Sequence, residues 1–337
     1  MTIDALKRLN APMPVLDAAL RVATGTGDSP LAAYARYVMG WEDEAGTPAH
    51  HGGKRIRPLL CLFASRALGG TDNEAMPGAV AVELVHNFSL VHDEVQDHDA
   101  ERHGRPTLWA RIGEAQSINA GDYIYTRAIR ALSDGHGPLD RRMASLSVLN
   151  YAIERMVEGQ YRDISFEERD DVDVEEYLAM VAGKTGALLA APLEIGALLA
   201  GAPAARAAIL GRWGEQVGLA FQAQDDYLGT WGDPEVTGKS NTNDIARKKK
   251  SLPIILGLQD REARFEIAEV YAAAVVSTDG IERVVSALNA IGAAGACRDE
   301  AARHAAAAES LLDSLELPGP TRSDFQAIAG FLVNRSS

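Results

Sequence analysis

The chain repeats one pattern over most of its length: apolar residues at steps of three and four, with polar residues between them. Val80, Leu84, Phe88, Val91 and Val95 form such a series, the stripe that a helix of 3.6 residues per turn turns toward a core. Alanine is dense in 187–208 and again in 301–308, which favours helix by intrinsic propensity. Runs of β-branched residues are short, and Pro253-Ile254-Ile255-Leu256 lies inside a longer helical pattern. A parallel sheet needs strands alternating with helices, and the pattern contains none. It predicts an all-α protein.

Turn signals separate the helices at 25–30, 68–72, 134–138 and 232–234, each rich in Gly, Pro, Asp or Thr. None is long enough for an interdomain linker, and no repeat recurs at a fixed period. A single domain over residues 1–337 is the expectation.

Composition narrows the classes. Hydrophobic residues make up 47 % and charged residues 24 %, the balance of a globular protein. With 33 basic against 47 acidic residues the net charge is −14, a surface that repels a nucleic-acid backbone. The two cysteines, Cys61 and Cys297, are too few for a disulfide framework or a zinc site and read as buried thiols in a reducing compartment. The N-terminal stretch has early acids and no apolar core of a signal peptide. The most apolar run, near 188–199, is broken by Pro192 and Glu194, so no membrane span is expected. The expected location is the cytoplasm.

The chemistry lies where apolar helices end in acids. In Asp93-Glu-Val-Gln-Asp97 the two aspartates are four apart, so both carboxylates leave one helix face a turn apart. A second apolar run ends in Asp225 and Asp226, with Gln222 one turn before Asp226. Bare carboxylates are disfavoured at the end of an apolar helix. Two of them ~4 Å apart repel by about 4 kcal/mol at an effective dielectric near ~20. Divalent cations remove that penalty, and an oxygen-only donor set without a His or Cys cluster points to magnesium shared with substrate phosphates. Basic residues stand where phosphates would need them: Lys54 and Arg57 at a helix start, Arg102 after the first acids, Lys184 before a small-residue helix, then Lys239 and 248–250. Gly183-Lys-Thr-Gly186 lacks the strand and glycine spacing of a P-loop.

In order along the chain, Gly52-Gly-Lys-Arg-Ile-Arg-Pro58, Asp93-Glu-Val-Gln-Asp97, Arg102-His-Gly-Arg-Pro-Thr107, Asn119-Ala-Gly-Asp122, Gly159-Gln160 with Asp163, Lys184-Thr185, Phe221-Gln-Ala-Gln-Asp-Asp226, Thr237-Gly-Lys239 and Lys249-Lys-Ser-Leu-Pro253 resemble the trans-isoprenyl diphosphate synthases (polyprenyl synthetases). The likeness runs from about Gly52 to Asn334-Arg335. It implies about a dozen antiparallel helices around a central cavity and a homodimer. It implies Mg2+, three ions with substrate bound, held by Asp93, Asp97 and Asp225, with Asp226 beside them. Arg102, Lys184, Lys239 and Lys249 would bind an allylic diphosphate. Lys54, Arg57 and His86 would bind isopentenyl diphosphate, joined in the family by an arginine where this chain has His103. Thr185 and Gln222 would line the carbocation site. Phe88 and Ser89, one turn before Asp93, would set product length, here geranylgeranyl diphosphate with farnesyl diphosphate as runner-up.

Three positions depart from the family pattern: Glu94 for Asp in the first motif, Gly229 for the last Asp of the second, and His103. A neutral imidazole cannot form the two-pronged phosphate contact of a guanidinium, so His103 is expected to weaken capture of isopentenyl diphosphate. Glu94, about 100° around the helix from Asp93, is expected to matter little. A class I terpene cyclase would share the fold and the ionisation step, but its second motif is an Asn/Asp–Ser–Glu triad, which this sequence lacks. A non-catalytic subunit of a two-component synthase would have lost the acids.

Overall fold

The computed structural model describes residues 3–25, 27–102, 104–232 and 243–333. Among them, regular structure is helical apart from a two-residue hairpin and one isolated bridge between Glu42 and Pro48. The helices break where the turn signals predicted, at 25–29, 68–71, 134–138 and Gly232. Residues 233–242, which include Thr237, Gly238 and Lys239, lie outside the described residues, as do His103 and Asn334-Arg335.

The chain divides into two compact units. One gathers Leu6–Ile153 and Ala191–Gly211. Its centre is α5 (Asp72–Gln96), which packs against α4 (Ile56–Ala67) and α7 (Glu114–Ser133). α5 starts on a reciprocal capping box, in which Thr71 accepts from Glu74 N while the Glu74 carboxylate accepts from Thr71 N. Val80, Leu84, Phe88 and Val91 are buried as the stripe predicted, but so are Ala79, Ala81, Val82 and Val85. α5 is therefore surrounded on most sides over its middle, and its last turn emerges with the acids. After it come β1 (Glu101–Arg102) and β2 (Arg105–Pro106), paired antiparallel with Arg102 opposite Arg105. Gly104, at φ +70, takes the left-handed turn conformation that glycine adopts without strain.

The other unit gathers Met1–Ala5, Glu154–Ala190 and Arg212–Ser337. Here the C-terminal part of α8 (Leu139–Phe166), α9 (Val174–Val181) and α11 (Ala204–Trp231) meet α13 (Leu252–Gln259) and α16 (Ala293–Asp313). The shared core holds Phe166, Tyr177, Met180, Leu219, Ala223, Leu252, Ile255 and Cys297. Pro253-Ile-Ile-Leu256 is helical, inside α13, as its surroundings predicted. The run Val174–Leu199, long and apolar enough on length and composition to cross a bilayer, is 61 % buried within the protein and is accounted for as core.

Candidate active site

In the first unit the last turn of α5 presents Asp93, half-buried, and Asp97, exposed, whose N–H donates to the Asp93 carbonyl at 2.8 Å. Arg102 reaches back from β1 and lies 3.5 Å from Asp93 Oδ2 and 2.8 Å from Glu94 Oε1. Glu94, expected to matter little, is buried at 8 % exposure. Burial pushes its carboxyl up, and the Arg102 guanidinium opposes that shift. The longer side chain thus anchors the arginine expected to grip substrate. The sequence reading missed this because it asked only whether residue 94 faced the metal.

Beside this turn is a cavity of about 340 Å³, lined by Gly52, Gly53, His86, Glu94, Arg102 and Arg105 among others. His86 and Arg102, both predicted substrate residues, line it. Arg57 donates to His86 Nε2 at 3.2 Å. Burial, and after it the Arg57, Arg102 and Arg55 charges, hold His86 well below the usual imidazole range. It is neutral at pH 7 and accepts from Arg57. Lys54 is exposed next to Gly53. Arg55 between them is unexpected: it caps α4 from the left-handed region at φ 49. A non-glycine residue there costs on the order of 1–3 kcal/mol. Its guanidinium is held by Glu83 at 2.6 Å and the Met39 carbonyl at 2.7 Å, all buried. Asn87 donates to the same Glu83 oxygen at 3.0 Å. That anchor fixes the backbone from which Lys54 and Arg57 project. One turn before Asp93, Phe88 packs on the His92 and Tyr125 rings at 4.8 and 5.3 Å, and Ser89 Oγ donates to the His86 carbonyl at 2.8 Å.

In the second unit α11 places Asp225 on the surface and Asp226 inside. Both Asp226 oxygens are engaged: Oδ1 accepts from Gln222 Nε2 at 2.9 Å, and Oδ2 accepts from the Leu252 N–H at 2.8 Å and the Tyr177 hydroxyl. Asp226 thereby ties α9, α11 and the start of α13, the helix that follows Lys249. Thr185 Oγ1 donates to Gln222 Oε1 at 3.4 Å, so this predicted pair does meet. Lys184 sits in a π-helical turn, Ala182–Gly186, with Nζ 2.5 Å from Asp163 of α8. The approach needs glycine on both sides. A Cβ on Gly159 would lie 2.3 Å from Lys184 N, and one on Gly183 2.6 Å from the Arg155 carbonyl. Lys249 is exposed, while Lys250 is tied to Asp170 at 2.5 Å. At Gly229 a Cβ would meet Asp244 Oδ2 at 2.7 Å. The space a larger residue would need is filled by another carboxylate.

Burial pushes the Asp226 carboxyl up to about 6, against the pull of its three donors. A raised acid stabilises the fold most when protonated. Its contribution is complete below its unfolded value of 3.8 and is lost as pH rises through about 6. Two units at ~1.36 each set the scale at about 3 kcal/mol. Denaturant unfolding from pH 4 to 7 is expected to show the native chain losing stability relative to Asp226→Asn over that window. Parallel pH curves for the two proteins would contradict the assignment.

The acids, all oxygen donors at helix ends, suit a hard divalent cation. Among the described residues no three acid, His or Cys side chains converge on one point. An acidic helix end beside a cavity lined by arginines is the equipment of an enzyme that handles diphosphates. Comparison with known proteins agrees. The polyprenyl synthetase family model matches residues 43–288. A (2E,6E)-farnesyl diphosphate synthase of Mycobacterium bovis is 36 % identical over 100 % of this chain and 95 % of its own length. A geranylgeranyl diphosphate synthase of Mycobacterium tuberculosis is 41 % identical over 86 % of this chain and 83 % of its own. The solved polyprenyl synthetase of Streptomyces coelicolor superposes with a TM-score of 0.89 at 37 % identity, covering 98 % of this chain and 99 % of that one. The chain belongs to the polyprenyl synthetase family. It is a trans-prenyl diphosphate synthase, a transferase, with the all-helical fold of that family.

Proposed function

We propose that the chain extends an allylic diphosphate with isopentenyl diphosphate, head to tail, and releases geranylgeranyl diphosphate. The observation that carries the product length is the pair at the base of the acidic turn. The Phe88 ring, braced by Tyr125 and His92, sets the floor, and the small Ser89, its hydroxyl donating to the His86 carbonyl, leaves the way to it open. No bulky side chain at 89 closes the path beside α5 to a long tail, and 93–97 carries no insertion. The mycobacterial geranylgeranyl diphosphate synthase supports this reading. The farnesyl diphosphate synthase matched over the whole chain supports the shorter product.

Asp93, Asp97 and Asp225 hold magnesium, which, when bound, stabilises charge on the departing diphosphate. Asp226, with both oxygens engaged, anchors this end of α11 instead. Arg102, Lys184, Lys239 and Lys249 grip the allylic diphosphate and favour ionisation of its C–O bond by placing positive charge where negative charge develops. Lys54, Arg57 and His86 hold isopentenyl diphosphate, with His86 in the wall of the 340 Å³ cavity, so that the isopentenyl double bond attacks the cation. The proton then lost goes to the released diphosphate. Thr185 and Gln222 direct oxygen toward the cation, and apolar walls exclude water that would quench it. The enzyme works in the cytoplasm as a homodimer. Met143, Tyr151, Val157, Tyr161 and Ile164 are exposed along α8, more apolar surface than one helix of a monomer usually shows. The test is the mass of the product made from isopentenyl diphosphate and an allylic primer, a linear twenty-carbon diphosphate being expected.

A further inference from the structure

The cavity beside α5 is rich in arginine. Arg55, Arg102 and Arg105 all line it. The first two are committed: Arg55 to Glu83 at 2.6 Å, Arg102 to Glu94 at 2.8 Å. Arg105 is different. It stands on β2 directly opposite Arg102, and residues opposite each other on an antiparallel pair project from the same face with Cβ atoms ~5 Å apart. Like charges so placed repel, and an anion between them would relieve that repulsion.

Arg105 is also held in place, with the Asp43 carboxylate near enough to feel its charge but not paired with it. Its guanidinium stacks 4.2 Å from the centre of the Tyr37 ring, and Nη2 donates to the Glu42 carbonyl at 3.0 Å and the Tyr37 carbonyl at 3.4 Å. These contacts fix its orientation but carry no negative charge. Among the described residues Arg105 forms no ion pair, and its hydrogen bonds to protein all run through Nη2, leaving Nε and Nη1 for a ligand. The result is a pre-oriented guanidinium in the wall of a cavity that also holds neutral His86. Planar guanidinium is the side chain best suited to bind phosphate oxygens in pairs. In sequence, Arg105 lies two residues from His103, the position where the family motif carries its second arginine.

We propose that Arg105 binds the diphosphate of isopentenyl diphosphate in this cavity and supplies the cation that His103 does not. The proposal rests on reading the cavity as the isopentenyl diphosphate pocket. Arg105 is then a substrate-binding residue, and the histidine at 103 is offset by the charge two residues on.

The experiment is a steady-state comparison of Arg105→Gln with the native chain, varying each substrate in turn. Glutamine keeps an amide donor for the Glu42 carbonyl and removes the charge. The KM for isopentenyl diphosphate is expected to rise about tenfold or more, the scale of one lost charged hydrogen bond, with the KM for the allylic primer within about twofold. Adding His103→Arg to Arg105→Gln is expected to restore most of that loss, because in the family an arginine at that position meets the same ligand. A merely structural Arg105 would instead raise both KM values together, lower the Tm, and gain nothing from His103→Arg. That result, or an unchanged KM for isopentenyl diphosphate, overturns the proposal. His86→Ala, in the wall of the same cavity, separates this from failure of the pocket assignment. If it raises the same KM while Arg105→Gln does not, only the role of Arg105 falls. If both leave it flat, the pocket reading falls and the proposal with it.

Discussion

Asp93→Ala is expected to lower kcat/KM by about 10³-fold, ~4 kcal/mol of transition-state stabilisation, with little change in helix content or unfolding midpoint. The carboxylate is half-buried at the end of α5, and Arg102 approaches it at 3.5 Å. The hydrophobic core does not rely on it, since Val91 and Phe88 lie a turn deeper. On the proposed reading, removing it takes away a ligand for the ions that draw off the diphosphate; it also releases Arg102 from one of its two acids. Glu94 still holds Arg102 at 2.8 Å, so the loss falls on the chemical step more than on primer binding. Circular dichroism with steady-state kinetics checks this. A variant that unfolds, or one with native turnover, would contradict it.

Phe88→Ala carries the second large effect and separates two roles. At 9 % exposure, edge-on to His92 and tilted against Tyr125, Phe88 is packed as a core residue. Truncating a buried phenylalanine costs roughly 3–5 kcal/mol. Tyr125 belongs to α7, the main packing partner of α5, so the loss loosens the helix that carries Asp93. If the ring also floors the tail channel, its removal lets the product lengthen beyond twenty carbons. The expected outcome is both effects: a lower unfolding midpoint and longer products in the mass spectrum. Lower stability with unchanged product length would confine Phe88 to packing and remove the argument for chain length.

How much of this was legible in the sequence depends on the range of the interaction. The helices were readable because the stripe through Val80, Leu84, Phe88 and Val91 is local, and its burial followed. The backbone bond from Asp97 N–H to the Asp93 carbonyl follows from the same local period, as does Gln222 reaching Asp226 one turn on. Contacts made across long stretches of chain were not. Nothing in Tyr177 announces that its hydroxyl meets Asp226, forty-nine positions later. Arg55 looked like one more motif cation until Glu83, twenty-eight positions on, took its charge. The hairpin that sets Arg105 opposite Arg102 is only two residues deep, too short to leave an alternating pattern, with Gly104 as its sole local sign. Glu94 was misjudged for a different reason. The helical angle correctly turned it away from the Asp93 face, but the burial it met there, and the partner it found in Arg102, belong to the tertiary structure.

The central claim, elongation to a twenty-carbon chain, is tested most directly by one assay. The purified chain is incubated with magnesium, isopentenyl diphosphate and, in separate reactions, dimethylallyl, geranyl or farnesyl diphosphate, and the products are identified by mass spectrometry. The account predicts a linear twenty-carbon diphosphate as the longest major product from each primer, with one isopentenyl diphosphate consumed for every five carbons added. A cyclic hydrocarbon formed from the primer alone, with isopentenyl diphosphate untouched, would contradict it.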